Sequence, residues 1–123
     1  MANDFKSFSK ANIAIDSGTY STVYTVPYTA TDVESILLEV DIANTHTADV
    51  TVDVKVNKNS GGTGGTDDIF IVKAAPVPTG GALKVVSGQK IVMMSTSTGA
   101  DTLTVACSVA NAADCIASVL EDV

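Results

Sequence analysis

Asp49-Val50-Thr51-Val52-Asp53-Val54-Lys55-Val56-Asn57 alternates valine with a polar residue along its whole length. In an extended chain successive side chains point to opposite faces. Val50, Val52, Val54 and Val56 therefore share one face, and Thr51, Asp53 and Lys55 share the other. One apolar and one polar face mark an antiparallel strand that packs on a core from one side. Upstream, Ser35 to Asn44 repeats the pattern: Ile36, Leu38, Val40 and Ile42 fall on one face, Glu39, Asp41 and Ala43 on the other. The link Asn44-Thr45-His46-Thr47-Ala48 is short and polar, so the spacing predicts a hairpin between these two strands.

The remaining chain follows the same style. Its 17 valines and 15 threonines are β-branched residues that favour strands over helices. Tyr20 to Tyr28 reads as a strand with Tyr20, Tyr24 and Tyr28 on one side and Pro27 at its end or on an edge. Asp68 to Ala75 reads as another, broken by Pro76 and Pro78, which cannot donate to a ladder. Gly80-Gly81 turns the chain. Ala82 to Val86 and Gln89 to Ser95 flank Ser87-Gly88, a short turn signal. Leu103 to Val109 and Cys115 to Glu121 complete the series, since Ile116, Ser118 and Leu120 alternate with Cys115, Ala117 and Val119. About eight strands at short, even spacing predict an all-β fold: an antiparallel β-sandwich of jelly-roll or immunoglobulin-like type. Residues 1–15 read as an N-terminal arm or first edge strand, and residues 16–123 as a single sandwich domain. Residues 57–67 hold four glycines and no apolar side chain, the composition of an exposed, mobile loop.

Composition limits the function. The chain has 123 residues, with 14 Asp and Glu against 7 cations, all of them Lys, for a net charge of −7. Charged residues make up 17%, below the ~25% usual in soluble domains. Mean hydropathy is +0.30. Few, scattered cations argue against a nucleic-acid partner, which calls for a basic patch. High hydrophobicity argues against disorder. No apolar run is long enough for a membrane helix. The first residues lack the charged leader and apolar core of a secretory signal, so synthesis in a cytoplasm is expected.

Candidate chemistry is sparse. Cys107 and Cys115 with the single His46 cannot supply four zinc ligands of these types. If the two cysteines sit on one hairpin turning at Asn111-Ala112-Ala113-Asp114, alternation places them on opposite faces, where they cannot bridge; two buried, reduced thiols are the expected state, with a disulfide as the alternative. His46 sits in a predicted turn with no nucleophile assigned to it. Gly61 to Gly65 lacks the Gly-Lys-Ser/Thr of a phosphate-binding loop, and Asp67-Asp68 lacks the spaced oxygens of a calcium loop. No catalytic, cofactor or metal residue is expected. The aromatic strand is the strongest contact candidate, because tyrosine joins a rigid apolar body to a polar tip. Phe5, Phe8, Ile13, Tyr20, Tyr24 and Tyr28 are the expected interface residues, those before Tyr20 lying in the arm Phe5 to Ile15.

Four stretches share a further pattern: Ser35-Ile36-Leu37-Leu38; Ile71-Val72-Lys73-Ala74-Ala75-Pro76-Val77-Pro78-Thr79-Gly80-Gly81-Ala82-Leu83; Gly88-Gln89-Lys90-Ile91-Val92-Met93; and Ala117-Ser118-Val119-Leu120-Glu121. Together they resemble small virion structural proteins of tailed bacteriophages, particularly those of marine phages, over roughly 70% of the chain. The resemblance implies a non-enzymatic β-sandwich on a phage particle, foremost a capsid decoration (cement) protein on the outer shell. Its partners would be the major capsid protein or other virion proteins and further copies of itself, a trimer being favoured. It would need no cofactor, touch neither nucleic acid nor membrane, and reside in the virion after assembly in the host cytoplasm. A neck, tail or fibre component is the alternative within that class. A carbohydrate-binding sandwich module is the alternative outside it.

Overall fold

A computed structural model describes residues 3–15, 20–59 and 67–122, in nine strands. They are β1 (Asn3–Lys10), β2 (Ser21–Thr25), β3 (Val33–Asn44), β4 (Val50–Asn57), β5 (Asp68–Val77), β6 (Ala82–Thr96), β7 (Gly99–Ala100), β8 (Thr102–Cys107) and β9 (Ala113–Asp122). One sheet has the order β1-β9-β3-β6-β7 and the other β2-β8-β4-β5, and every strand pair in them is antiparallel. The inner faces close on a core that includes Ile13, Leu37, Val40, Ile42, Val52, Val54, Met93, Leu103, Val105 and Val119. The fold is the expected all-β sandwich.

Strand order selects between the two expected types. With the two-residue β7 set aside, the chain alternates between sheets, and only β4 and β5 are consecutive strands sharing one. The first strand, β1, pairs with the last, β9. This is the interleaved connectivity of a jelly roll. An immunoglobulin fold would instead keep its first two strands, and its last two, within one sheet.

The alternation therefore forecasts the strands better than their partners. β3 and β4 do not form the expected hairpin; they lie in different sheets, and the link at 45–49 crosses the sandwich. Both strands have one strongly apolar face, and both faces are buried by opposing them across the core. Asn44 fixes that crossing. Its Nδ2 donates to the carbonyls of Ala48 and Val77, each at 3.0 Å, and its Oδ1 accepts from the His46 N–H at 2.7 Å. The next crossing, from β5 to β6, lies alongside. Thr79 N–H donates to Asp49 Oδ1 and its hydroxyl to the His46 carbonyl, both at 2.9 Å.

Two irregularities correct the predicted faces. In β3 the register against β9 and β6 shifts between Leu37 and Glu39. Leu38 is the extra residue of a bulge, so Ser35 and Leu37 face inward before it, and Val40 and Ile42 after it. Ile36 consequently lies on the outer face. In β6, Ser87-Gly88 is no turn between two strands. Gly88 has φ 84°, a left-handed conformation glycine adopts without strain, and the strand runs on through it.

The cysteines are buried and reduced as expected, but not on one hairpin. β8 and β9 belong to different sheets, not one hairpin, and both Cys107 and Cys115 sit inside the core as free thiols. Burial, with the Asp41 carboxylate adding to it, pushes the Cys115 thiol up to about 12. It is therefore an inert apolar side chain, not a nucleophile. The glycine-rich stretch from Gly61 to Gly65, expected as a loop, lies outside the described residues.

Candidate interaction surface

The outer face of the five-stranded sheet carries the most distinctive surface. The register sets Phe5 of β1 opposite Leu120 of β9, Leu120 opposite Ile36 of β3, and Ile36 opposite Val92 of β6. Four apolar side chains thus line up across four strands. Phe5 is 78% exposed and Val92 51%. Sequence alternation alone placed Ile36 in the core; the bulge at Leu38 turns it out into this row. One step along the strands, Asp122 lies opposite Glu34, and Glu34 opposite Met94. Glu34, Ile36, Val92, Leu120 and Asp122 line a shallow groove of about 280 Å³. On the other side of the row Ser7, Ser118, Glu39 and Ser87 follow one another across the same strands. The surface is an apolar stripe with carboxylates at its rim.

A different cluster covers the outer face of the four-stranded sheet. Tyr20 lies just before β2 and donates its hydroxyl to Asp53 Oδ2 at 2.8 Å. Lys73 Nζ is 3.2 Å from the same oxygen, and the Ala74 N–H donates to Oδ1 at 2.7 Å. Asp53 is 1% exposed. Burial pushes its carboxyl up, but these donors and the Lys73 charge outweigh it and hold the group below the usual carboxylate range. The Lys55 ammonium stacks over the Tyr20 ring at 4.4 Å and the Lys73 ammonium over Phe70 at 4.8 Å. The cluster ties the segment before β2 to β4 and β5. Lys73 pairs with Asp53 inside the cluster, and Lys55 pairs with Asp68 at 3.6 Å.

The six expected interface residues do not form one surface. Tyr20 and Tyr24 part company because β2 has a register irregularity between Thr22 and Tyr24, and Tyr28 lies beyond the end of the strand. Tyr24 is 2% exposed and lies in the core beside Phe8, with ring centroids 4.6 Å apart. Ile13 is enclosed as well, its N–H bonded to the Ala113 carbonyl. Tyr20 caps Asp53 on the second sheet. Of the six, Phe5 and Tyr28 present large exposed surfaces. Leu120, Ile36 and Val92 were missed as surface residues. Their sequence signal is the same alternation that marks a core strand, and only the pairing register reveals the row.

His46 is exposed in the crossing turn, where its backbone carries the contacts. Among the described residues no group of three or more His, Cys, Asp or Glu is placed to hold a metal ion.

No protein-family profile matches the chain, and no curated protein matches it in sequence. Solved structures similar to it include that of infectious bursal disease virus, Gt strain, with TM-score 0.40, 12% identity, and 97% of this chain and 38% of that chain covered. They also include the VP2 subviral particle of infectious bursal disease virus, with TM-score 0.38, 12% identity, and 97% and 40% covered. The chain spans about two fifths of the length of these chains.

Proposed function

We propose that this chain is a non-enzymatic structural protein of a tailed-phage virion, placed on the outer shell as a capsid decoration protein. Its partner is the major capsid protein, and it docks through the outer face of the five-stranded sheet. The observation that carries this reading is the registered row Phe5, Leu120, Ile36 and Val92. A sheet face turned to water alternates polar residues outward, whereas this one presents a contiguous apolar stripe, the mark of an interaction site. The sequence resemblance to phage virion proteins supplies the setting. A jelly roll is used by viral shells and by lectins alike, so the fold is compatible with the reading by analogy only. The net charge of −7 favours the outside of a particle over contact with packaged DNA.

The test is co-sedimentation of the purified protein with expanded capsids that lack it. Saturable binding at a fixed number of copies distributed over the shell is expected. Absence of binding overturns the reading. Binding of a few copies near one vertex replaces it with a neck, tail or fibre component, and specific retention on a glycan array replaces it with a carbohydrate-binding module.

A further inference from the structure

We propose that two copies of this chain associate about a twofold axis through the free edge of β1, joining their five-stranded sheets into one. This deepens the self-association part of the reading above and does not depend on a capsid. β1 lies at the edge of its sheet, and among the described residues only β9 pairs with it. An edge strand presents a row of unpaired N–H and C=O groups, a template for another strand.

The other edges are guarded. β5 carries Pro76, a left-handed Ala74 at φ 51° and two register shifts against β4. β2 is five residues long with an irregularity. β7 covers only Ser95 and Thr96 of β6, and the remaining edge of β6 is broken by the left-handed Gly88 and by two register shifts against β3. β1 alone is long and regular, in unbroken register with β9 from Asn3 to Lys10 and free of proline.

Charge selects a second copy as the occupant. Twofold antiparallel pairing centred on Ser7 sets Asp4 opposite Lys10 of the second copy, and Lys10 opposite Asp4 of the second copy. Neither Asp4 nor Lys10 has an ion pair of its own among the described residues, whereas Lys6 is held 2.8 Å from Glu121. Phe5 then faces Ser9 of the second copy, and Lys6 faces Phe8. A register centred on Lys6 opposes two like charges, and one centred on Phe8 opposes Lys6 to Lys10. Opposite charges directly across a strand pair stabilise it and like charges oppose it. Antiparallel edge pairing closes at two copies, so this interface gives a dimer where the resemblance favoured a trimer.

The experiment is sedimentation equilibrium of the purified full chain, without capsids, over a concentration series. A monomer–dimer equilibrium is expected. Asp4→Lys should raise its dissociation constant about tenfold or more, because symmetry applies the change twice. Lys10→Asp should act alike, and the Asp4→Lys, Lys10→Asp double exchange should restore association. Under mild oxidation Ser7→Cys should cross-link to its own copy and Ser9→Cys should not, since the native thiols are buried. A chain that stays monomeric at its highest soluble concentration overturns the proposal. So does a dimer indifferent to both exchanges, or one that cross-links at Ser9→Cys instead of Ser7→Cys. Each variant is first checked for an unchanged circular-dichroism spectrum. Failure here leaves capsid docking standing, and failure of capsid docking leaves this dimer standing, because the two assays share no component but the chain.

Discussion

Tyr24 of β2 donates its hydroxyl to Glu121 Oε2 of β9 at 2.5 Å, joining the two sheets inside the sandwich. Ser35 Oγ lies 2.9 Å from the same hydroxyl, and Lys6 Nζ 2.8 Å from Glu121 Oε1. Glu121 is buried, so these partners offset the cost of taking its side chain out of water. Tyr24→Phe keeps the ring and its packing against Phe8 but leaves the carboxylate one donor short. A loss of about 1–3 kcal/mol in unfolding free energy is expected. Urea denaturation of the variant checks it; an unchanged midpoint would show that the bond adds nothing.

Gly99 is required by space and Gly88 by conformation. A Cβ at Gly99 would lie 2.4 Å from the Asn59 carbonyl oxygen, a backbone atom that cannot step aside without moving the chain after β4. Asp101 ties down the same corner, accepting from Asn59 N–H at 2.9 Å and Lys58 Nζ at 2.8 Å. A Cβ at Gly88 would meet nothing within 4 Å, leaving only the strain of its positive φ. Gly99→Ala should therefore cost about 2–3 kcal/mol and Gly88→Ala about 1 kcal/mol. Thermal melts of the two variants side by side test the order.

Stability should fall at both ends of the pH scale. Asp53 is held below its ordinary carboxylate value, so its contribution is present above about pH 4 and fades as pH drops through the folded value. Tyr24 is raised by burial and by Glu121, so its contribution is present below about pH 10 and fades as pH rises through the folded value. Denaturation midpoints measured across pH should show a plateau between these limits. Asp53→Asn should flatten the acid limb and Tyr24→Phe the alkaline one, each leaving the opposite limb in place.

The turn between β3 and β4 depends on Asn44, not on its neighbour His46. Asn44→Ala strips the buried Val77 carbonyl of its Nδ2 donor and should cost about 1–3 kcal/mol. His46→Ala removes an exposed side chain and should stay within about 0.5 kcal/mol of the parent. Calorimetry of both variants decides whether the side chain or the backbone of residue 46 matters.

The apolar row should matter for docking and little for folding. Phe5→Ser and Val92→Ser remove exposed rings and methyls, so unfolding midpoints should shift little. Co-sedimentation with capsids should fall together in both variants. Retained binding in Phe5→Ser and Val92→Ser alike would move the contact to another face.

The alternation from Asp49 to Asn57 identified a half-buried strand, and Val50, Val52, Val54 and Val56 are indeed buried. That reading is local, because side-chain direction in a strand depends only on the extended backbone. From Ser35 to Asn44 the same logic misplaced Ile36 and Leu38. A bulge inserts one residue against the neighbouring strands and reverses every face before it, and nothing in Leu37-Leu38-Glu39 announces it. The interaction surface was obscured for the same reason. Phe5 was legible as a contact candidate from its place near the terminus, but its row with Leu120, Ile36 and Val92 joins residues from four distant parts of the chain.

The sequence by itself determined that this protein is an antiparallel sandwich: its β-branched content and period-two faces permit little else. Which strands pair was decided by the tertiary structure. Consecutive strands with equally apolar faces can bury them side by side in one sheet or opposed across the core, and the local pattern is identical in both. Buried donors such as Asn44 at the crossings, and bonds such as Tyr24 to Glu121 between sheets, fit only the crossed arrangement. That arrangement brings the first strand beside the last, leaves the outer edge of β1 without a strand partner among the described residues, and assembles the apolar row.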